Sequence, residues 1–156
     1  MGVPRPELCE PIARVLQSLG VRRAMVVCGT VKAIGLHPEG QASYLDELSP
    51  LGDNAIAEFY QECGFATSTL DPHQFPLQPV TLDDLAGGDR EANAEIIRRI
   101  LRGDDRGPRR DAVLLNAGAA LFVAGRARSI GEGWEQAAEV IASGKAQAKL
   151  EELSAR

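Results

Sequence analysis

From Ala112 to Ala124 the chain runs Ala-Val-Leu-Leu-Asn-Ala-Gly-Ala-Ala-Leu-Phe-Val-Ala, apolar around the whole circumference of a helix. No other stretch constrains the fold as much. Extended to Gly125 it is still shorter than the roughly 20 residues needed to cross a bilayer, so it is expected as a central, buried helix. Pro108 is placed in its first turn, and its Ala and Gly residues should let neighbouring elements approach closely.

Helical signals surround this segment. Asp89 can cap a helix carrying Ile96, Ile97, Ile100 and Leu101 on one face, with Gly103 past its end. Ser129 with Glu132 reads as a capping box, followed by the stripe Ile130, Trp134, Ala137, Ala138 and Ile141 up to Gly144. A weaker amphipathic helix covers Lys145 to Arg156.

The first half reads differently. Leu8, Ile12, Val15, Leu16 and Leu19 recur at helical spacing before Gly20, with the regular helix expected to begin near Pro11. Arg23 to Cys28 is a short apolar run closed by Gly29, which predicts a strand buried on both faces. Thr30 to Ser43 carries Gly35, Pro38 and Gly40 without a period, so it is assigned to a loop of unusual length. Tyr44 to Leu48 and Ala55 to Tyr60 are predicted strands, and Asp71 to Pro79 is proline-rich and irregular. One α/β domain over residues 1–156 is the expectation, since a chain of this length can bury a proper core.

Charge and composition exclude several functions. A net charge of -5 and a pI near 5.1 disfavour nucleic-acid binding, which needs clustered Lys and Arg. The start of the chain has no apolar signal segment and nothing is long enough to span a membrane, so a cytoplasmic protein is expected. Cys9, Cys28 and Cys63 lack CxxC spacing, which suggests neither a disulfide framework nor a zinc site. His37 and His73 sit in proline-flanked loops without metal-ligand spacing, and Arg22-Arg23, Arg98-Arg99 and Arg109-Arg110 read as helix-end or solvated pairs.

A series of landmarks in fixed order carries a resemblance. They are Pro11-Ile12-Ala13 through Leu19-Gly20, Val26-Val27-Cys28-Gly29, Leu45-Asp46-Glu47-Leu48-Ser49, Ala86-Gly87-Gly88-Asp89, Asn93-Ala94, Gly107-Pro108 and Asp111 through Leu121. In this order they closely resemble the carboxy-terminal half of the anthranilate phosphoribosyltransferases. The resemblance implies the carboxy-terminal part of a nucleoside phosphorylase/phosphoribosyltransferase-type α/β domain, a mixed sheet packed by helices, without the amino-terminal helical domain. It implies transfer of phosphoribosyl from phosphoribosyl pyrophosphate (PRPP) to anthranilate in tryptophan biosynthesis, assisted by Mg²⁺, in an enzyme that is a homodimer when complete.

The same resemblance assigns Asp46 and Glu47 to Mg²⁺. Taken alone, two adjacent acids are a solvated step. A hard cation held by one or two carboxylates, with phosphates and water filling its other positions, gives them a use, and both can serve only where the chain bends. No catalytic residue is assigned. The family's Gly-Thr-Gly-Gly-Asp phosphate loop does not occur in this sequence, and Gly87-Gly88-Asp89 matches a later landmark before a structural helix. The chain alone is therefore expected to be inactive and to need a missing amino-terminal half or a partner subunit, with apolar surface exposed where these belong. Cys28 stands where the family usually has His and is expected to pack in the core; Ala92 stands where a Glu would support the Asp89 cap. A noncatalytic, nucleic-acid-binding paralogue and a pyrimidine nucleoside phosphorylase-like enzyme are the alternatives.

Overall fold

β1, Arg23–Val31, is buried from Ala24 through Cys28 because both its faces are covered. In the computed structural model, which describes residues 1–31, 43–60 and 64–155, it lies inside a four-stranded sheet of order β2-β1-β3-β4. The other strands are β2 (Ser43–Leu45), β3 (Asn54–Tyr60) and β4 (Gly64–Leu70), and every pairing among these four is antiparallel. The parallel component expected of a mixed sheet is a bridge from Gly2 to Val27, held by the Val3 amide donating to the Val27 carbonyl and the Val27 amide to the Met1 carbonyl, both at 2.9 Å.

Helix α1, Cys9–Ser18, follows a 3-10 turn over Pro6–Leu8 and covers one face of the sheet. It begins before Pro11, which occupies its first turn, where a missing N–H leaves no intrahelical bond unmade. Ala13 and Cys9 pack with Val3, Ala24, Val26, Cys28, Ala57 and Phe59 to form that core. Cys28 is thus a packing residue, as expected. Val15 and Leu19 remain exposed on the outer side of α1 and just past its end.

Three expectations need adjustment here. β2 ends at Leu45, not Leu48, because the chain bends at Asp46. β4 is absent from the sequence reading: Ala66-Thr67-Ser68-Thr69 is polar and exposed, and only pairing with β3 makes it a strand. Thr30 and Val31 belong to β1 and Ser43 to β2, while residues 32–42 of the long segment, His37 among them, lie outside the described residues, as does Cys63.

The chain divides into two compact units, Met1–Leu77 and Gln78–Arg156. The second unit holds α2 (Leu82–Leu85), α3 (Arg90–Arg102), α4 (Pro108–Val123), α5 (Ile130–Ala142) and α6 (Lys145–Ser154). Asp89 caps α3 by accepting the Ala92 amide at 2.8 Å, and Gly103 ends it in the left-handed region at φ 82°, a conformation that favours glycine. Ser129 caps α5, but the Glu132 carboxylate accepts the Arg128 amide, not that of Ser129, so the expected box is only half formed.

α4 is not enclosed all round. Asp111, Leu114, Leu115, Gly118 and Ala119 are buried, whereas Val113 is exposed on the other side. Its buried face meets α5 with almost no separation. A Cβ on Gly133 would lie 2.3 Å from the Gly118 carbonyl oxygen, and a Cβ on Gly118 would lie 2.8 Å from the Ile130 oxygen and the Trp134 nitrogen. The buried stripe on α3 is also narrower than expected, since Ile100 is buried and Ile97 is exposed.

Candidate functional site

Gly29 in β1 pairs on one side with Leu45, the last residue of β2, and on the other with Asn54, the first of β3. Residues 46–53 therefore step across β1 at Gly29. The crossing is possible because Gly29 has no side chain: a Cβ there would lie 2.4 Å from Ser49 Cβ, 2.6 Å from the Glu47 carbonyl oxygen and 2.7 Å from the Ser49 nitrogen. Strand alternation puts Gly29 on the face opposite Val26 and Cys28, which pack toward α1, so the step runs over the other face.

A second glycine closes the arrangement. A Cβ on Gly2 would sit 1.4 Å from the Asp46 carbonyl oxygen. The Met1–Val3 segment occupies the flank of β1 next to Val27, where β2 no longer pairs, and touches the backbone of the acidic step directly.

The return of the step is held from inside by Asn54, which is fully buried with Leu48 and Ser49. The Ser49 amide donates to Asn54 Oδ1 at 2.6 Å, and Asn54 Nδ2 donates to the carbonyls of Ser49 at 3.0 Å and Gly52 at 3.1 Å, with a longer contact of 3.4 Å to that of Leu70. The Ser49 hydroxyl accepts the Leu51 amide at 3.0 Å. An otherwise costly set of buried backbone groups is thereby satisfied.

Asp46 and Glu47 sit at the outer turn of this step, both exposed and both outside any strand. The bend that two adjacent acids need in order to act together is present. The Glu47 carboxyl lies above its ordinary range, first because nearby protein displaces water from it and second because the Asp46 charge stands beside it. Among the described residues no cluster of three or more His, Cys, Asp or Glu is positioned for a metal. Two carboxylates at one exposed bend suit a cation that takes most of its oxygens from phosphate and water, and they do not suit one that needs a closed protein cage.

The other singled-out residues have structural roles. His73 is exposed in a turn where its amide donates to Asp71 Oδ1. Gly87-Gly88 is spanned by Asn93, whose Oδ1 accepts the Gly88 amide at 2.8 Å and whose Nδ2 donates to the Gly88 carbonyl at 3.0 Å. Arg109 Nη2 donates to the Ala86 carbonyl, Arg23 stacks on Tyr60 and Arg98 faces Glu95 at 3.7 Å. Neither the role of Asn54 nor the burial of Asp111, whose Oδ2 accepts the Gln78 amide at 2.9 Å, is announced by the sequence. A lone Asn at a strand start gives no periodic signal, and an acid in the first turn of a helix reads as a dipole partner before it reads as a buried latch.

The chain matches the model of the glycosyl transferase family, a/b domain, over residues 1–147. It is 44% identical over 153 residues to the anthranilate phosphoribosyltransferase of Geobacter sulfurreducens, covering 98% of this chain and 40% of that relative. Among solved structures it is similar to the carboxy-terminal part of the anthranilate phosphoribosyltransferase of Thermus thermophilus, with a TM-score of 0.77 and 40% identity over 97% of this chain and 40% of that one. It is also similar to the Saccharomyces cerevisiae enzyme in complex with PRPP and Mg, with a TM-score of 0.74 and 26% identity over 96% of this chain and 38% of that one. This chain thus spans about 40% of the length of the curated relatives it matches. No helix among the described residues is long and apolar enough to cross a membrane. With the landmarks in order and nearly every residue inside the matched region, the chain belongs to the glycosyl transferase family through its a/b domain.

Proposed function

We propose that this chain supplies the carboxy-terminal part of an anthranilate phosphoribosyltransferase, a cytoplasmic enzyme of tryptophan biosynthesis that is a homodimer when complete, and that Asp46 and Glu47 hold its Mg²⁺. Both units belong to one domain in this reading, supported by the single match that runs through them. The observation that carries the proposal is the exposed acidic bend, seated by its backbone on Gly2 and Gly29.

In the reaction the C1–O bond to pyrophosphate breaks, a C1–N bond to the anthranilate amine forms, and the amine gives up a proton. Mg²⁺, when bound, would offset charge on the pyrophosphate as it departs. Asp46 and Glu47 place that ion, and the step across β1 keeps the two carboxylates from drifting. Positioning is most of what such a transfer asks of a protein. The sequence holds no Gly-Thr-Gly-Gly-Asp run to cradle the pyrophosphate, so the chain by itself is inactive.

The test is an anthranilate-consumption assay with PRPP and Mg²⁺. The purified chain should give no product, and adding the amino-terminal portion of a relative should restore turnover. In the restored enzyme, Asp46→Asn and Glu47→Gln should each lower the rate by about 10- to 100-fold. Turnover by the chain alone, or full activity in both variants, refutes the assignment.

A further inference from the structure

We propose that Asn54 is a positioning residue for the acidic pair, acting through the backbone of residues 48–52 to present Asp46 and Glu47 side by side. The inference rests on the metal-holding reading given above and adds the residue on which that site depends.

Asn54 is the first residue of β3, so its backbone is fixed by pairing with Gly29. Its amide group is fully buried, and its hydrogen bonds go to the main chain of Ser49, Gly52 and Leu70. Ser49 receives both a donor and an acceptor from the same side chain, which fixes the two peptide units on either side of its Cα. Ser49 is only two residues from Glu47, and both the Glu47 carbonyl oxygen and the Ser49 nitrogen occupy the space that a Cβ on Gly29 would need. The bend is therefore gripped from one side by Asn54 and stopped on the other by β1.

The chemistry makes the amide hard to replace. An aspartate would keep the acceptor for the Ser49 amide but would turn a donating nitrogen into an oxygen facing three carbonyls. An alanine would leave the Ser49 amide and carbonyl buried without these partners. In either case the return from Leu48 to Gly52 loses its anchor, and the two carboxylates lose their common placement while the chemical groups that bind a cation stay in the chain.

Paramagnetic line broadening tests this on the full chain, labelled with ¹⁵N and titrated with Mn²⁺ as the probe. In the parent chain, broadening should centre on the Asp46 and Glu47 amides. Asn54→Ala should need about 10-fold more Mn²⁺, or more, for the same broadening there. Phe59→Leu, which weakens the same sheet core far from the bend, serves as a control for general loosening and should leave the titration midpoint unchanged. If Asn54→Ala does not fold, Asn54→Ser, which is smaller but still polar, is read in the same way. An unchanged midpoint in the Asn54 variant overturns the proposal, and so does an equal loss in Phe59→Leu. Absence of localised broadening in the parent chain overturns the metal-holding reading itself, and with it the role given to Asn54, so the two failures are told apart by which sample shows them.

Discussion

Replacing Gly133 with Ala pits two known effects against each other. Gly133 lies inside α5, where exchanging glycine for alanine ordinarily stabilises a helix by about 1 kcal/mol. Here the added Cβ would meet the Gly118 carbonyl oxygen at 2.3 Å, its Cα at 2.8 Å and its carbonyl carbon at 2.9 Å. All three are backbone atoms of α4, so no side chain can swing aside. The helices must separate by roughly an ångström, loosening contacts around Leu114, Leu115 and Trp134, and overpacking of this kind costs up to about 3 kcal/mol. Steric cost wins, and Gly133→Ala should lose about 2 kcal/mol net, lowering the melting temperature by roughly 4–8 °C for a chain of this size. Gly131→Ala is the matched control in the same helix, because its Cβ would lie 3.7 Å from Ser129 Oγ, an ordinary contact. It should be neutral or slightly stabilising. Urea unfolding followed by circular dichroism gives both numbers, and a Gly133→Ala midpoint at or above that of the parent chain would refute the claim that α4 and α5 touch through their backbones.

Two further outcomes follow from the charges. Burial, with smaller contributions from Cys28 and Glu7, pushes the Cys9 thiol from its ordinary 9.0 up to about 11. The folded chain then holds a proton that the unfolded chain releases, so stability should fall as pH rises from about 9 toward 11; mass-spectrometric mapping after a thiol reagent at pH 8 should find Cys9 and Cys28 unmodified, and rapid modification under native conditions contradicts this. The Glu132 carboxyl is held below its ordinary range by the Arg128 amide and then by the Arg128 side chain, so its support of α5 is present above the usual carboxylate range and lost as pH falls through its lowered value. Glu132→Gln should flatten that part of the acid-unfolding curve, and an identical curve discards the assignment.

Much of this is legible in the sequence, and the parts that are not share a cause. Asp89, Gly103 and Ser129 declare themselves because caps act within a few residues, and β1 declares itself because burial on both faces leaves an uninterrupted apolar run. The adjacent acids were visible as a pair, but their bend was not, because the strand was expected to run on to Leu48. What holds them was not, since Gly29, Gly2 and Asn54 do their work against residues far along the chain or across a strand, and no local spacing encodes that. β4 hid for the same reason: a polar strand at the sheet edge has no buried face to impose alternation. The apolar α4 misled in the opposite direction, because its sequence is apolar all round while burial within its unit is one-sided.

The crossing at Gly29 also bears on how this part of the chain can change over time. Because β2 hands over to β3 at a single residue of β1, the acidic pair takes its location from the pairing of β2 and from the anchored stretch behind it. A single added methyl at Gly29 evicts it.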